Sequence, residues 1–267
     1  MFPEKIPSSM VVKSTARAAL TGKYFGAVVA SLLPVFAYYI LHIIASCAYT
    51  VFPERYGIFV TLFFLIFTAF AIFPLFLGAV RYFWRLTEGL EEAPTEAFYY
   101  FGSFTLYKRA IKSVFIILFK FLTVFIPSML PYFVTVLLSN TWLYNFLGTE
   151  VPLWVAGIAL LSAFLKYAGI FIGLILFARY YLFAALVAMD DDLLIYEAVH
   201  ISTMISSCSM GAFAALVVSL IGWMLLSLLI VPMIYTAPLI LSCYVVHCRY
   251  TIVNYNRTLE FYSKEQL

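Results

Sequence analysis

The sequence predicts an all-α, polytopic bundle of about six transmembrane helices, with short interfacial helices on the cytoplasmic side. The first observation is composition: of 267 residues, 65% are hydrophobic and 11% are charged, against about 45–50% and about 25% in soluble domains. A soluble fold this apolar would expose larger apolar patches than monomers tolerate. The second and third observations are the long apolar runs and the placement of Lys and Arg, which together predict a chain embedded in lipid.

A helix that crosses a bilayer needs about 20 predominantly apolar residues. Such runs predict spans at 24–52, 58–80, 114–138, 153–178, 212–230 and 233–251. The last two come from one apolar run, which as a single helix would reach about 60 Å, twice the hydrocarbon thickness. Pro232 supplies the break, because proline removes a backbone donor and clashes with the preceding turn. We expect residues 1–267 to form a single integral membrane domain.

Basic residues concentrate in the cytoplasmic loops of membrane proteins. In this chain they cluster before the first span, between the second and third spans, and in the C-terminal tail. Six spans with cytoplasmic termini place all three clusters on one side, whereas five spans would put the basic tail outside. The sequence therefore predicts that both termini are cytoplasmic. We expect the first helix to be retained, because its apolar run is longer than the core of a cleaved signal.

Two stretches, Arg81–Phe101 and Arg179–Ser202, follow a similar order of residues. Each begins with Arg-Tyr-aromatic, passes an acidic patch and reaches Glu-Ala before the next span. The N-terminal segment offers a third short amphipathic helix, a pattern typical of helices in the membrane interface. Its apolar face is Val11, Val12, Thr15, Ala16, Ala19 and Leu20, and the face of the later copy is Leu194, Ala198, Ile201 and Ile205. We interpret the chain as a three-fold tandem repeat of an interfacial helix plus a hairpin.

Asp190, Asp191 and Asp192 form the most conspicuous polar group in the chain. Aspartate favours helix N-caps and the positive N-terminal end of a helix dipole, and a helical pattern follows directly. Carboxylates also suit Mg²⁺ or Ca²⁺, but consecutive aspartates cannot easily all face one ion and no spaced second cluster supports them. We favour capping and solvation over a cation site, and we predict no metal and no cofactor.

Two titratable residues fall inside predicted spans. Lys166 lies about 20 Å along a helix that starts at Leu153, near the bilayer centre, where a charge is a functional-site hypothesis. The alternative is a lysine that snorkels towards the interface. His42 could titrate within the first span, although a lone histidine is more often a hydrogen-bonded packing residue. No Asp or Glu lies within any predicted span, which argues against a proton relay.

Gly169 and Gly173 have the spacing that lets two membrane helices approach closely. Self-association, or contact with other membrane proteins, through these glycines is one expectation. Cys243, His247 and Cys248 are close on one predicted helix and could form a soft-metal site, but we interpret them as packing residues.

Several soft motifs point to a family. The block "SLIGWMLLSLL" at Ser219–Leu229, the "G..R....L..G" pattern and the segment from Asp190 to "EAVHIS" resemble an uncharacterised family of bacterial integral membrane proteins. The "G..R....L..G" residues are Gly78, Arg81, Leu86 and Gly89. That family is a domain of unknown function, similar to the membrane domain of some glycerophosphodiester phosphodiesterases. A "GIG" turn typical of it is replaced here by Val231-Pro232-Met233. The resemblance implies a bacterial plasma membrane location and no activity, substrate or catalytic residue.

No nucleophile elbow, phosphate loop, zinc-protease or EF-hand motif occurs in the sequence. We therefore expect a protein that is not an enzyme, with membrane lipids as its partners and no nucleic acid. The favoured role is a lipid-interacting, accessory or scaffold protein of the cell envelope. One alternative is a small transporter or exporter of an amphiphilic or anionic solute, although the spans contain little polarity. Another is a lipid-processing membrane enzyme that uses the three aspartates with a cation.

Overall fold

The computed structural model describes residues 7–53, 56–90, 93–139 and 154–265. Within these ranges the chain is helical, with no strand, which confirms the all-α prediction. The α-helices are α1 (Ser9–Leu20), α2 (Tyr24–Val51), α3 (Gly57–Thr87), α4 (Phe104–Ser139), α5 (Trp154–Phe177), α6 (Phe183–Met189), α7 (Ile195–Leu226) and α8 (Ile230–Glu265). A 3₁₀ segment (Pro94–Phe101) precedes α4, and a 3₁₀ turn (Ala178–Tyr180) follows α5.

Six segments of the described chain are long and apolar enough to cross a membrane, so the protein is a multi-pass membrane protein. They are Tyr24–Val51, Gly57–Thr87, Phe104–Leu138, Leu160–Met189, Ile195–Leu226 and Val231–Arg257. Their mean hydropathy ranges from 1.5 to 2.6 in the most apolar window of each. The predicted number of membrane helices is thereby confirmed.

The helices extend beyond several of the predicted spans. Helix α3 continues to Thr87, α4 begins at Phe104, and α7 begins at Ile195. With 32 residues, α7 is about 48 Å long, whereas the hydrocarbon core is about 30 Å thick. Hydropathy identifies only the part of a helix that suits lipid. The separate short helix predicted after the aspartates is therefore wrong: it is the first half of α7, because no proline interrupts the chain there.

The α7–α8 connection lies slightly before its predicted position. The chain leaves the helix at Ser227–Leu229 and re-enters at Ile230. Pro232 is in the first turn of α8, where the missing N–H has no intrahelical partner to lose. The predicted break is confirmed, and the proline begins the second helix rather than forming the turn.

The chain divides into two compact units, one formed by Met1–Phe115 with Leu182–Leu267 and the other by Ile116–Tyr181. In the first unit, the buried face of α1 is Val12, Ala16 and Leu20. The Thr15 and Tyr250 hydroxyls are 3.4 Å apart, and the Ser242 hydroxyl donates to the Ala16 carbonyl. The part of the predicted apolar face formed by Val12, Ala16 and Leu20 is therefore covered by protein, whereas Val11 is exposed.

Burial is uneven along α3. The C-terminal part from Leu77 to Trp84 is buried, together with α6 and the start of α7. The N-terminal part carries large exposed side chains such as Phe59 and Phe63, and the C-terminal part of α2 carries the exposed Ile43 and Val51. One end of the α2–α3 hairpin is thus packed like a protein interior, and the other presents the apolar surface expected against lipid.

The second unit consists of the part of α4 from Ile116 onward and α5. A Cβ atom added at Gly169 would lie 2.6 Å from the Ser128 carbonyl oxygen, and one added at Gly173 would lie 2.8 Å from the Ser128 hydroxyl oxygen. The close approach predicted from this glycine spacing is confirmed. Its partner is α4 of the same chain, so the surface suggested for self-association is already occupied.

Candidate functional site

The largest polar cluster in the described chain centres on Asp191, in the connection between α6 and α7. The Asp191 carboxylate accepts a hydrogen bond from Arg81 Nη1 at 3.1 Å and one from the Tyr99 hydroxyl at 2.6 Å. The Arg81 guanidinium also donates to Glu96 at 3.1 Å and to the Ala188 carbonyl at 3.2 Å. Three segments distant in sequence, α3, the 3₁₀ segment and the stretch from Ala188 to Asp191, therefore meet at one arginine.

Arg81 is well suited to this position because its planar guanidinium presents several donors at fixed angles. Its side chain is 7% exposed, against 17% for Glu96 and 30% for Asp191. The guanidinium carbon lies 3.7 Å from the centre of the Tyr99 ring, which adds a cation–π contact. A buried cation is stable only when it is paired and hydrogen-bonded, and two carboxylates meet that need here.

Arg109, at the start of α4, holds the aspartate segment by its backbone. Its guanidinium donates to the carbonyl oxygens of Asp190, at 2.6 Å, and of Asp191. The Tyr100 hydroxyl donates to the Val187 carbonyl at 3.2 Å, one turn earlier. Carbonyl groups at the end of α6 and in the connection after it are therefore satisfied by side chains of α3, the 3₁₀ segment and α4, which fixes the path of the chain into α7.

Gly78 explains why the 3₁₀ segment can reach Arg81. A Cβ atom at this position would lie 2.0 Å from the Ala97 carbonyl oxygen, so only glycine allows the backbone of the 3₁₀ segment to pack against α3. Pro94 begins that segment, at the position where a missing backbone donor is tolerated. This close approach places Glu96 and Tyr99 within reach of the guanidinium.

The other glycine of the same motif ends α3. Gly89 has φ of +84°, a conformation that residues with a Cβ rarely adopt. The Leu90 N–H donates to the Arg85 carbonyl and the Gly89 N–H to the Leu86 carbonyl, which is the Schellman arrangement. The "G..R....L..G" pattern thus consists of a close-packing glycine, a buried cation, a buried leucine and a helix-ending glycine.

The two tyrosines of the cluster act as neutral hydrogen-bond donors. Burial raises the pKa of Tyr99, and its hydrogen bond to Asp191 raises that pKa further. Burial also raises the pKa of Tyr100 well above its ordinary value. Both hydroxyl groups therefore stay protonated at physiological pH, and the cluster acts as a structural junction between α3, α4, α6 and α7.

The three aspartates do not cap the following helix as predicted. The N-cap residue of α7 is Leu194, whose side chain makes no capping hydrogen bond. Asp190 instead accepts a hydrogen bond from the Asp192 N–H at 2.8 Å, forming a local turn, and Asp192 is exposed. The capping prediction is wrong because the chain makes two further residues of turn before α7 begins.

The three aspartates also fail to converge as cation ligands. Asp191 is committed to Arg81 and Tyr99, and Asp190 to the local turn. Among the described residues, no group of three or more His, Cys, Asp or Glu side chains is placed to hold a metal ion. The same holds for Cys243, His247 and Cys248, which are buried on α8 and are not placed to hold a metal ion together.

Of the other two candidate residues, Lys166 belongs to the second compact unit and His42 to the first. Lys166 is exposed on α5, and His42 is exposed on α2 with its ring stacked 6.0 Å from that of Tyr38. His42 lines none of the four cavities described for the chain. Within the first unit, the structure therefore brings Asp190 and Asp191 into the cluster and leaves Asp192 and His42 outside it.

An apolar cavity of about 420 Å³ lies among α2, α3, α7 and α8, all in the first compact unit. Its lining extends from Phe213 on α7 to Ser227 just after it, about 21 Å at 1.5 Å per residue, but along α2 only from Ser31 to Val35, about 6 Å. The cavity is therefore long and narrow and follows the α7–α8 hairpin, and α2 and α3 line a shorter part of it. Among the described residues, the polar side chains in the lining are those of Ser31, Ser227 and Tyr244.

No protein-family model, curated protein or solved structure matches this chain. The resemblance to an uncharacterised bacterial membrane family therefore stays a prediction. The partners of Asp191 were not predicted as site residues. Arg81 and Glu96 did stand out in the sequence as members of the repeated segments, and Arg81 belongs to the "G..R....L..G" pattern, but neither signal indicated that they meet Asp191.

Proposed function

We propose that this protein is a non-enzymatic, lipid-binding protein of the bacterial cytoplasmic membrane, with an accessory or scaffold role in the cell envelope. The apolar cavity among α2, α3, α7 and α8 is the observation that supports this function. In a membrane, the molecule available to fill an apolar cavity is a lipid, and apolar cavities exclude water. The long, narrow shape suits one acyl chain.

The same cavity argues against the transport alternative. A path for a water-soluble solute needs polar groups that replace its hydration. Here Leu216, Leu220 and Ile240 are typical of the lining, and they offer no hydrogen bonds. Binding of an acyl chain is therefore favoured over passage of a solute.

Native mass spectrometry of the purified protein tests this function. Ala237, on the cavity lining, is replaced by Phe, and Ala214, exposed on α7, is replaced by Phe as the matched control. We expect A237F to lose most of its retained phospholipid and A214F to keep it. Equal retention in A237F, A214F and the unmodified protein would argue against the cavity as a lipid site, and solute flux through reconstituted protein would favour transport.

We further propose that both termini and the Asp191 cluster lie on the cytoplasmic side. The support is the placement of the basic residues on one side of six spans. A single cysteine at the exposed Asp192, in a background without the four native cysteines, provides the test. Impermeant thiol reagents should label it in inverted vesicles only. Labelling in intact cells would reverse the proposed orientation.

A further inference from the structure

A second cavity, of about 350 Å³, lies between the end of α1, the start of α2, and the α7–α8 hairpin. Arg17, Tyr24, Trp223 and Tyr235 line it, and all belong to the first compact unit. Resting on the lipid-binding function proposed above, we propose that this cavity binds the headgroup phosphate of an anionic phospholipid, with Arg17 as its cationic ligand. It gives the protein a preference for one lipid class.

The charge of the cavity comes from α1, which carries Lys13 and Arg17 and no acidic residue. Arg17 is exposed and makes no ion pair with any residue in the described ranges. Lys13, one turn earlier, donates to the Ser219 carbonyl of α7 at 2.6 Å. That bond fixes α1 against the hairpin and leaves the Arg17 guanidinium as the cation directed to the cavity.

The aromatic residues of this cavity are those that favour the membrane interface. Tyr and Trp place an apolar ring in the bilayer and a polar group at headgroup level. The Tyr24 hydroxyl donates to the Tyr235 carbonyl at 2.6 Å, and the two ring centroids lie 6.2 Å apart. Trp223 completes the aromatic wall from α7. A cation among interfacial aromatics is the combination expected around a phospholipid headgroup.

A tight turn brings the cation and the aromatics together. Gly22 has φ of +77°, and a Cβ atom placed there would have no atom within 4 Å. The chain therefore reverses between α1 and α2 with a backbone conformation that favours glycine, and Arg17 and Tyr24 face one cavity from either side of the turn. Open space beside Gly22 leaves room for a headgroup.

The chemistry of the lining selects an anionic lipid over a zwitterionic one. Among the described residues no carboxylate contributes to the lining, so the ammonium group of choline or ethanolamine would find only aromatic faces there and no opposite charge to offset its repulsion from Arg17. Arginine binds phosphate through parallel N–H donors, a geometry that lysine matches only as a point charge. We therefore expect recognition of the phosphate and of net negative charge.

The experiment compares retention of phosphatidylglycerol and phosphatidylcholine with identical acyl chains, offered in equal amounts to the purified full-length protein and measured by native mass spectrometry. We expect the unmodified protein to prefer phosphatidylglycerol by about fivefold, the factor that corresponds to about 1 kcal/mol per basic residue at an anionic surface. Arg17→Gln should reduce this ratio to near one. Arg17→Lys should retain part of it.

Lys112→Gln is the matched control, because it removes the same charge from an exposed position on α4. It should leave the lipid ratio unchanged. A ratio near one in the unmodified protein, or an unchanged ratio in Arg17→Gln, would overturn the proposal. The two proposals fail separately: Ala237→Phe should lower retention of both lipids, whereas Arg17→Gln should change the ratio and leave the total retention intact.

Discussion

Arg81 and Asp191 are 110 residues apart in the sequence, yet Arg81 Nη1 lies 3.0 Å from Asp191 Oδ2. This ion pair joins the end of α3 to the connection between α6 and α7. Glu96 of the 3₁₀ segment pairs with Arg81 at 3.1 Å and with Arg85 at 3.6 Å. The junction fixes the packed end of the α2–α3 hairpin relative to α7, one of the helices that line the apolar cavity.

Replacement of Asp191 by Asn should destabilise the protein by about 3 kcal/mol, the lower end of the range for breaking a buried pair, because Asp191 is partly exposed. Arg81 would be left with a single carboxylate in a buried position. Unfolding in denaturing detergent, followed by circular dichroism, measures the change. Asp192→Asn is the control, since Asp192 is exposed, and it should be nearly silent. Similar effects of the two substitutions would contradict the junction.

The unmodified protein and its Asp191→Asn variant also test the alternative of a lipid-processing enzyme. If the aspartates held a catalytic cation, stability and any lipid turnover would depend on divalent ions. We expect the melting temperature to be unchanged on addition of a chelator, because Asp191 is neutralised by Arg81 instead of by a metal. Stabilisation by Mg²⁺ or Ca²⁺ that disappears in Asp191→Asn would support the alternative that the protein is a lipid-processing enzyme.

Replacement of Gly78 by Ala should displace the 3₁₀ segment, because the added Cβ would lie 2.0 Å from the Ala97 carbonyl oxygen. Overpacking of this kind costs about 1–3 kcal/mol. The matched control is Gly222→Ala on α7, where an added Cβ would meet no atom within 4 Å. This substitution should stabilise the helix by up to about 1 kcal/mol, because alanine has the higher helix propensity. We expect the two substitutions to shift the melting temperature in opposite directions. Equal effects would show that the close approach is not required.

Alkaline pH should weaken the cluster. The pKa values of Tyr99 and Tyr100 are raised above the ordinary value of 10.0, so folding favours their protonated forms. Their contribution to the free energy of unfolding is fully present below pH 10 and is lost as pH rises beyond it. Replacement of both tyrosines by Phe should flatten the fall in stability above pH 10. A slope unchanged by that double substitution would contradict the assignment.

The sequence predicted the all-α membrane fold, the six membrane helices and the break before α8, because lipid imposes a strong hydropathy pattern on helices. It predicted the ends of α3, α4 and α7 poorly, because parts of these helices pack against protein and lose that pattern. The role of Asp191 was also out of reach. Its partners come from α3 and the 3₁₀ segment, and that meeting depends on the Gly78 backbone contact, which no local pattern shows.

Lys166→Met should leave folding and lipid retention unchanged, or stabilise the protein slightly. The lysine is exposed on α5 of the second compact unit, and removal of a charge near lipid relieves a cost. Native mass spectrometry and thermal unfolding provide the two readouts. A substantial loss of bound lipid would move the functional site into the second compact unit.

The most direct test of lipid binding is photolabelling in native membranes with a phospholipid that carries a photoreactive acyl chain, followed by peptide mapping. Bulk lipid should label outward-facing residues such as Val218, which is 67% exposed. A chain in the cavity should also label Leu220, which is 2% exposed and lines the cavity, and Ala237→Phe should abolish only that inner label. Labelling confined to outward-facing residues would contradict the account.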